Sequence, residues 1–254
     1  MNKIKTFFSW FGNDIKDIGV TFKEGDFKTK LSFLIFGLGP ILRKSVVKGI
    51  AYLAVEVSFF IYMIQFGWQY LSKINTLGTI EKGIDPETFL LTDGDNSFFI
   101  LLYGILSIMF IIGFIAVWRM NIKENRKEEL LLKAGKKVPT SIDDLKSLLD
   151  GNFHITLMAL PIIGVFVFIV LPIIFMICVA FTNYDYNHQA PTKLFTWVGL
   201  DNFKALLSFG SSGFGSTFFT VLGWTLVWAF FATFLTYFLG MGVAMMINKK
   251  RNSF

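Results

Sequence analysis

Long apolar stretches alternate with polar segments along the chain. Four of these stretches contain no lysine or arginine, and they cover residues 49–71, 98–118, 155–181 and 217–247. A helix of about 20 residues crosses the hydrocarbon core of a bilayer, so each stretch is long enough to span it. The pattern therefore predicts an all-α, polytopic integral membrane protein with four transmembrane helices. The fourth stretch has 31 residues, so its helix must tilt, kink or extend beyond the membrane.

A fifth apolar run, residues 31–42, is too short to cross a bilayer. It has 12 residues and includes Gly37, Gly39 and Pro40. A run of this length is typical of an interfacial or packed segment. We assign it as a short interfacial segment within an N-terminal region that covers residues 1–48.

The lysines and arginines predict the orientation of the spans. Nine lie in residues 1–48, eight in residues 119–153 and three after residue 247, whereas residues 72–97 and 182–216 hold two each. Because basic loops are retained in the cytoplasm, both termini and the 119–153 loop are predicted to be cytoplasmic. The formal net charge of +6 reflects mainly this asymmetry. Nothing in it suggests a single basic face, so no nucleic-acid partner is predicted.

Two loops have features of their own. The loop 72–97 carries five acids and two lysines and is predicted to be a polar connector on the outer side. The loop 119–153 is predicted to be a cytoplasmic helical linker, in which residues 121–134 extend the second span and Gly135 ends that helix. A second short helix is predicted to start with Ser141 as its N-cap, since an acid follows three residues later.

The sequence lacks the motifs of common enzymes. It has no G-x-x-x-x-G-K-[ST] for ATP, no G-x-S-x-G and no H-E-x-x-H. His154 and His188 fall on opposite sides of the membrane in the predicted topology, and Cys178 falls within a span. These residues cannot assemble a metal site or a proton relay. No catalytic residue, cofactor or metal is predicted.

Polar residues inside the spans each allow two interpretations. Glu56 is the one acid or base within the four predicted spans, and an intramembrane acid suggests a function by default. It can provide a structural hydrogen bond, or it can be the proton site of a secondary carrier. Thr225, Thr233 and Thr236 fall near one face of the fourth span. They can pack against other helices or line a transport pathway.

Ordered motifs give the chain a resemblance to a known family. They are "LPIIFMICVAFTNYD" at 171–185, "WVGLDNFKALL" at 197–207 and "WTLVWAFFATFLTYFLGMGVAMMIN" at 224–248, preceded by "LSFLIFGLGPILRK" at 31–44. In this order the chain resembles the permease subunit of binding-protein-dependent ABC sugar importers, in particular the larger permease of maltose/maltodextrin importers. The resemblance covers nearly the whole chain.

The resemblance implies a function and a set of partners. Such a subunit is non-catalytic and multi-pass in the cell membrane of a bacterium. It pairs with a second permease subunit and two ATPase subunits, and an extracytoplasmic sugar-binding protein delivers the oligosaccharide. The expected function is therefore translocation of maltodextrin-like oligosaccharides, powered by ATP hydrolysis in partner chains.

The resemblance also divides the chain. Residues 49–118 correspond to two peripheral transmembrane helices, residues 154–216 to the third transmembrane helix with an extracytoplasmic loop, and residues 217–254 to the first helix of the permease core. Family members continue through further spans and a cytoplasmic E-A-A…G loop. The chain is therefore expected to be a fragment or truncated product, or else to have its remainder on a separate polypeptide, and it is not expected to transport alone. Sugar-contacting residues lie mostly in the later helices, so none is assigned here.

Two other classes of function remain open at this point. A membrane anchor or assembly protein without transport activity explains the hydropathy equally well, although it does not explain the ordered motifs. The hypothesis of a secondary carrier rests on Glu56 alone.

The segment between the third and fourth spans is the candidate functional surface. Residues 180–203 are either an interfacial connector or part of the surface that meets the sugar-binding protein, and Tyr184, Asp185 and Trp197 are the candidate contacts. Asp201 is predicted as the N-cap of a short surface helix.

Overall fold

The chain is mostly helical in the computed structural model, which describes residues 2–84, 89, 91–151, 153–190, 192–207 and 214–248. Over these residues, the elements in chain order are α1 Asn2–Glu24, α2 Phe27–Leu31, α3 Leu38–Leu42, α4 Val46–Tyr62, a π-helical turn Met63–Gly67, α5 Trp68–Ser72, β1 Gly83–Ile84, β2 Leu91–Thr92, α6 Ser97–Lys133, α7 Ser141–Leu149, α8 Phe153–Val165, a second π-helical turn Phe166–Val170, α9 Leu171–Val179, α10 Asp201–Leu207 and α11 Phe214–Asn248.

The four predicted spans are confirmed. Within the described ranges, four helical stretches are long and apolar enough to cross a membrane: Val46–Ser72, Ser97–Lys133, Phe153–Val179 and Gly215–Asn248. The chain is thus an all-α, polytopic membrane protein, as the apolar pattern indicates. The cytoplasmic placement of its termini stays a prediction.

The first and third spans each contain one wide helical turn. In the third span the turn Phe166–Val170 lies just before Pro172, which stands at the start of α9. A proline lacks an N–H and crowds the carbonyl four residues earlier, here that of Phe168 within the turn. A π-helical turn accommodates this crowding without ending the helix.

The second span continues as one helix far beyond its apolar part. Asn96 caps α6 by accepting hydrogen bonds from the backbone N–H groups of Phe98 and Phe99. The helix then runs for 37 residues, or about 55 Å at about 1.5 Å per residue. Gly135 follows its end with a φ of +70°, the left-handed conformation common after a helix C-terminus. Both the predicted extension of this helix and its stop are confirmed.

The N-cap of α7 is Thr140, so the prediction of Ser141 was wrong by one residue. Thr140 and Asp143 form a capping box, in which the Asp143 carboxylate accepts from the Thr140 N–H at 2.9 Å. Ser141 instead accepts a hydrogen bond from the backbone N–H of Val47 at 3.2 Å. The serine is therefore occupied in joining α7 to the start of α4, a contact that local sequence does not show.

Loop 72–97 contains a structure that the polar composition did not predict. Strands β1 and β2 pair antiparallel, with Gly83 opposite Thr92 and Ile84 opposite Leu91. The backbone N–H of Asp95 also donates to the carbonyl of Ile80 at 2.7 Å. The loop therefore contains a short pair of antiparallel strands.

The run 31–42 packs against α4 and α6 instead of forming one helix. Phe36, Gly39 and Pro40 are buried. The backbone N–H of Gly37, which has a φ of +72°, donates to Asn121 Oδ1 at 3.1 Å. Packing of this run is thus observed, whereas its position relative to the bilayer surface stays a prediction.

Arg43 is buried within this N-terminal region and joins its segments by hydrogen bonds. Its side chain is 1% exposed and donates to Asp26 and Thr29 at 2.7 Å and to Asn125 of α6 at 2.8 Å. Burial raises the pKa of Asp26, but hydrogen bonds from Thr29 and Arg43 outweigh it and hold that pKa below its ordinary value. The buried guanidinium therefore has the carboxylate partner that a charge needs away from water.

The apolar core lies where the second and third spans meet the loops at one end of the bundle. Its buried members are Leu77, Ile100, Leu101, Ile105, Phe175 and Phe195. They come from loop 73–96, α6, α9 and the segment after α9, so one cluster joins four parts of the chain. This cluster positions the loops that carry the candidate site.

The chain separates into two compact units, Met1–Trp197 and Val198–Phe254. In the second unit, α10 begins at Asp201, so this residue is the first helical residue rather than the predicted N-cap. The turn closed by the Asp201 N–H to the Val198 carbonyl starts the helix one residue early. The Asp201 carboxylate then accepts from Lys204 Nζ at 2.7 Å.

Threonine hydroxyl groups of α11 form hydrogen bonds within the helix. Thr225 Oγ1 donates to the Val221 carbonyl at 2.9 Å, and Thr236 Oγ1 donates to the Ala232 carbonyl at 2.6 Å. These bonds to the preceding turn are available to a threonine in any helix. Whether this face packs against helices or lines a pathway stays a prediction.

Candidate functional site

The segment after the third span, residues 180–197 (loop 2), closes on itself. Thr182 pairs with Trp197 in an antiparallel bridge. Next to it, the Asn183 N–H donates to the Thr196 carbonyl at 3.0 Å, and the Thr196 N–H donates to Asn183 Oδ1 at 2.6 Å. The two ends of the loop are therefore joined by backbone pairing and by one amide side chain.

Asp185 organises the tip of loop 2. Its Oδ1 accepts from the backbone N–H groups of Asn187 and His188, both at 2.8 Å, and lies 2.8 Å from His188 Nδ1. Hydrogen bonding from the His188 side chain and then from its backbone holds the pKa of Asp185 below its ordinary value. Aspartate commonly bonds to the backbone two or three residues on in this way to shape a turn.

Tyr184 is attached to the body of the same loop. Its ring packs edge-on against Phe195, with 5.4 Å between ring centroids. Its hydroxyl accepts from Gln189 Nε2 at 3.2 Å. The side chain is nevertheless 41% exposed, and the neighbouring Tyr186 is 94% exposed. Loop 2 thus presents two tyrosine rings outward from a fixed backbone.

Loop 2 is fastened to residues 73–96 (loop 1). Trp197 Nε1 donates to the Ile74 carbonyl at 2.8 Å, and Lys193 Nζ forms an ion pair with Glu81 at 2.7 Å. Fully buried Phe195 belongs to the same apolar core as Leu77 of loop 1. The two loops therefore behave as one surface, held by an apolar anchor, a backbone acceptor and an ion pair.

Asp95 fixes the base of loop 1. Its carboxylate accepts from Lys73 Nζ at 2.5 Å and from the backbone N–H groups of Thr79 at 2.9 Å and Ile80 at 3.3 Å. Burial raises the pKa of Asp95, but these hydrogen bonds, with that from Lys73 foremost, together hold it below its ordinary value. A carboxylate with several donors is strongly favoured in its charged form.

The structure places all three candidate residues in loop 2, and each has an internal role there. Asp185 shapes the tip, Tyr184 packs on Phe195, and Trp197 reaches loop 1 while staying 37% exposed. The sequence reasoning missed Lys193 and Phe195, which fasten the loop. The apolar Leu194–Phe195 pair, in an otherwise polar segment, is the signal that could have indicated an anchor.

Glu56 has a structural partner. The side chain is largely buried, and its Oε2 accepts from the backbone N–H of Phe36 at 2.9 Å. Phe36 in turn stacks on Phe114 of α6. The carboxylate therefore connects the first span to the packed segment before it. Within the described part of the chain, no group of three or more His, Cys, Asp or Glu side chains is arranged to hold a metal.

Sequence comparison identifies relatives of the chain. The chain is 32% identical over 228 residues to the maltodextrin transport system permease protein MalC of Streptococcus pneumoniae, covering 89% of this chain and 49% of that protein. The chain is related to sugar-transport permeases. It is also 32% identical to the maltodextrin permease protein MdxF of Bacillus subtilis over 87% of this chain and 48% of that protein.

A third relative carries a different sugar in its name. The galactooligosaccharides transport system permease protein GanP of Bacillus subtilis is 30% identical over 85% of this chain and 49% of that protein. The chain spans about half the length of the curated relatives it matches. No family model matches it, and no solved structure matches it. The resemblance to oligosaccharide permeases is confirmed, and with four apolar helices the chain is a multi-pass protein of the bacterial cell membrane.

Proposed function

We propose that the chain is part of a permease subunit of an ABC importer that moves oligosaccharides of the maltodextrin or galactooligosaccharide kind across the bacterial cell membrane. The observation that carries this proposal is the similarity to MalC along 89% of the chain. The anchor and assembly alternative explains the apolar helices but not this similarity. The carrier alternative rests on Glu56 alone, and the hydrogen bond that Glu56 accepts from the Phe36 N–H supports a structural role instead.

The subunit itself is non-catalytic in this proposal. Hydrolysis of ATP takes place in two partner subunits, and a second permease subunit completes the pathway. The absence of a G-x-x-x-x-G-K-[ST] motif from the sequence supports this division of labour. The hydrogen bond that Glu56 accepts from the Phe36 N–H supports a structural role for this acid.

The surface formed by loops 1 and 2 is proposed to meet the extracytoplasmic sugar-binding protein. The distribution of lysine and arginine supports a position of these loops outside the cell. Exposed tyrosines on a fixed backbone suit such a contact, because aromatic side chains are enriched in protein interfaces and lose little conformational freedom there. Tyr184 and Tyr186 are the proposed contacts, whereas Asp185 and Trp197 hold the surface in shape.

Co-purification tests the assembly. The full-length permease that contains this segment is expected to purify with a second permease and an ATPase subunit, and its ATPase activity is expected to rise when sugar-loaded binding protein is added. A full-length permease that purifies alone, in the presence of both candidate partners, contradicts the proposal.

A second experiment tests the docking surface separately. Tyr186→Ala removes an exposed ring, and it is expected to weaken stimulation by the binding protein while leaving basal ATPase activity unchanged. Phe153→Ala, a matched aromatic change at the opposite end of the third span, is the control. Stimulation that is equal in the two variants means that loop 2 is only a connector, while the assembly result still stands.

A further inference from the structure

Helix α1 carries an apolar stripe that stays largely exposed among the residues the structure describes. Ile15, Ile18 and Phe22 are spaced three and four residues apart, which places them on one face of the helix. Ile15 is 53% exposed and Phe22 is 57% exposed. In the sequence, the apolar positions 4, 7, 8 and 11 continue the same spacing towards the N-terminus. Over residues 15–22 the face is therefore apolar and largely exposed.

The neighbouring face of α1 is polar and is fixed to α6. Asp14 is buried and forms ion pairs with Arg119 and Lys123 of α6. Near the other end, Glu24 forms an ion pair with Arg126 at 3.0 Å. Two sets of charges thus hold α1 along α6. They leave Ile15 and Phe22 more than half exposed, whereas Ile18 lines a cavity with Ile122 of α6.

These contacts place α1 at a defined level on the second span. Arg119 directly follows Trp118, the last residue of the uncharged part of α6. The Trp118 Nε1 donates to the Phe33 carbonyl at 3.1 Å. Tryptophan at the end of a span is typical of the headgroup level. Because Asp14 pairs with the next residue along α6, the middle of α1 lies at that level too.

The apolar stripe is continuous with the membrane-spanning surface. The Phe22 ring packs edge-on against Phe33 with 5.3 Å between centroids, and Phe33 packs edge-on against Trp118 at 5.9 Å. Phe27 and Leu34, which lie before and after Phe33 in the sequence, are 76% and 75% exposed. An unbroken apolar surface therefore leads from the end of the second span onto α1.

We propose that α1 is an interfacial helix whose stripe is covered by phospholipid acyl chains on the side of the membrane where the chain begins. Lys16 and Lys23, two turns apart on the flank of the stripe, lie where headgroup phosphates would meet them. A lipid occupant is favoured over a second protein because the stripe continues a surface that already faces lipid. The inference does not depend on which sugar is carried or on transport itself.

The test is depth-dependent quenching on the full-length permease in phosphatidylcholine and phosphatidylglycerol vesicles. In a background in which Cys178 and any cysteine of the remaining permease sequence are replaced by serine, single cysteines are introduced as Ile15→Cys and Lys16→Cys and labelled with an environment-sensitive fluorophore. The label at position 15 is expected to show blue-shifted emission and to lose intensity with lipids brominated on their acyl chains. The label at position 16 is expected to lose intensity with aqueous iodide instead.

A second matched pair, Phe22→Cys and Lys23→Cys, provides the same comparison in the last turn of α1, so that the failure of one variant to fold does not end the test. Equal iodide quenching within a pair overturns the proposal, because the stripe then faces water. Protection of positions 15 and 22 from both quenchers also overturns it, because a protein then covers the stripe.

Discussion

The indole nitrogen Nε1 of Trp197 donates a 2.8 Å hydrogen bond to the carbonyl oxygen of Ile74. The two residues are 123 positions apart, and the bond joins the two loops at the same end of the bundle. Trp197 therefore connects loop 2 to loop 1 and also lies partly at the surface.

Trp197→Phe removes this bond while it keeps an aromatic ring. The loss of one neutral hydrogen bond is expected to cost about 0.5–1.5 kcal/mol, which speeds local opening of loop 2 by about two- to tenfold. Hydrogen exchange of residues 183–196 measures this. Tyr186→Phe, which changes a ring that is 94% exposed, is the control and is expected to leave exchange unchanged. Unaltered exchange in both variants means that the bond does not hold the loop.

Asp95→Asn should destabilise loop 1 more than Glu81→Gln does. The neutral amide cannot accept from Lys73, Thr79 and Ile80 as the carboxylate does, so we expect a loss of about 1.5–3 kcal/mol. The exposed pair of Glu81 with Lys193 is worth about 0–1 kcal/mol. Thermal unfolding of the two variants in detergent compares them, and equal shifts of the unfolding midpoint would contradict this ranking.

The stability supplied by Asp95 should depend on pH only under acidic conditions. Its folded-state pKa lies below the ordinary value of 3.8. For such a group the contribution is fully present above the unfolded-state pKa and is lost as the pH falls through the folded-state pKa. Wild-type loop 1 should therefore keep this contribution at neutral pH and begin to lose it near pH 3.8. In Asp95→Asn, the acid-induced change in exchange of residues 79–80 should be smaller.

Glu56→Gln and Glu56→Leu separate a structural acid from a proton carrier. Glutamine keeps an oxygen that can accept from the Phe36 N–H, so its stability is expected to stay close to wild type. Leucine leaves a buried N–H without its acceptor, which costs about 1–3 kcal/mol. Thermal unfolding measures both variants. The carrier hypothesis would be restored by one result: wild-type sugar uptake depends on a proton gradient, and Glu56→Gln lowers both the uptake and this dependence.

Gly37→Ala should be far more damaging than Gly135→Ala. Both glycines have a positive φ, +72° and +70°, so an alanine at either site carries a backbone penalty of about 1–2 kcal/mol. At position 37 an added Cβ would also lie 1.9 Å from the carbonyl oxygen of Gly49, whereas at position 135 nothing lies within 4 Å. The difference between the unfolding midpoints of the two variants therefore measures the cost of the steric clash with Gly49. Equal midpoints would mean that α4 moves aside freely.

Local patterns predicted the helices well because their causes are local. Stretches of about 20 apolar residues predict helices in a bilayer, since only internal hydrogen bonding satisfies the backbone there. The end of α6 at Gly135 likewise follows from one residue's conformational freedom. The N-cap of α7 was missed by one residue because Thr140 and Ser141 are both good caps. The choice between them depends on Val47, which is distant in sequence.

The sequence by itself determined the four spans, their class as an all-α membrane protein and, through ordered motifs, the relationship to sugar-transport permeases. Only the tertiary structure decided the role of Glu56, the joining of the two loops through Trp197 and Lys193, and the uncovered stripe on α1. The physical reason is that apolar length and helix-ending residues act over a few turns. The role of a buried carboxylate, an indole N–H or an exposed face depends on partners that folding brings close.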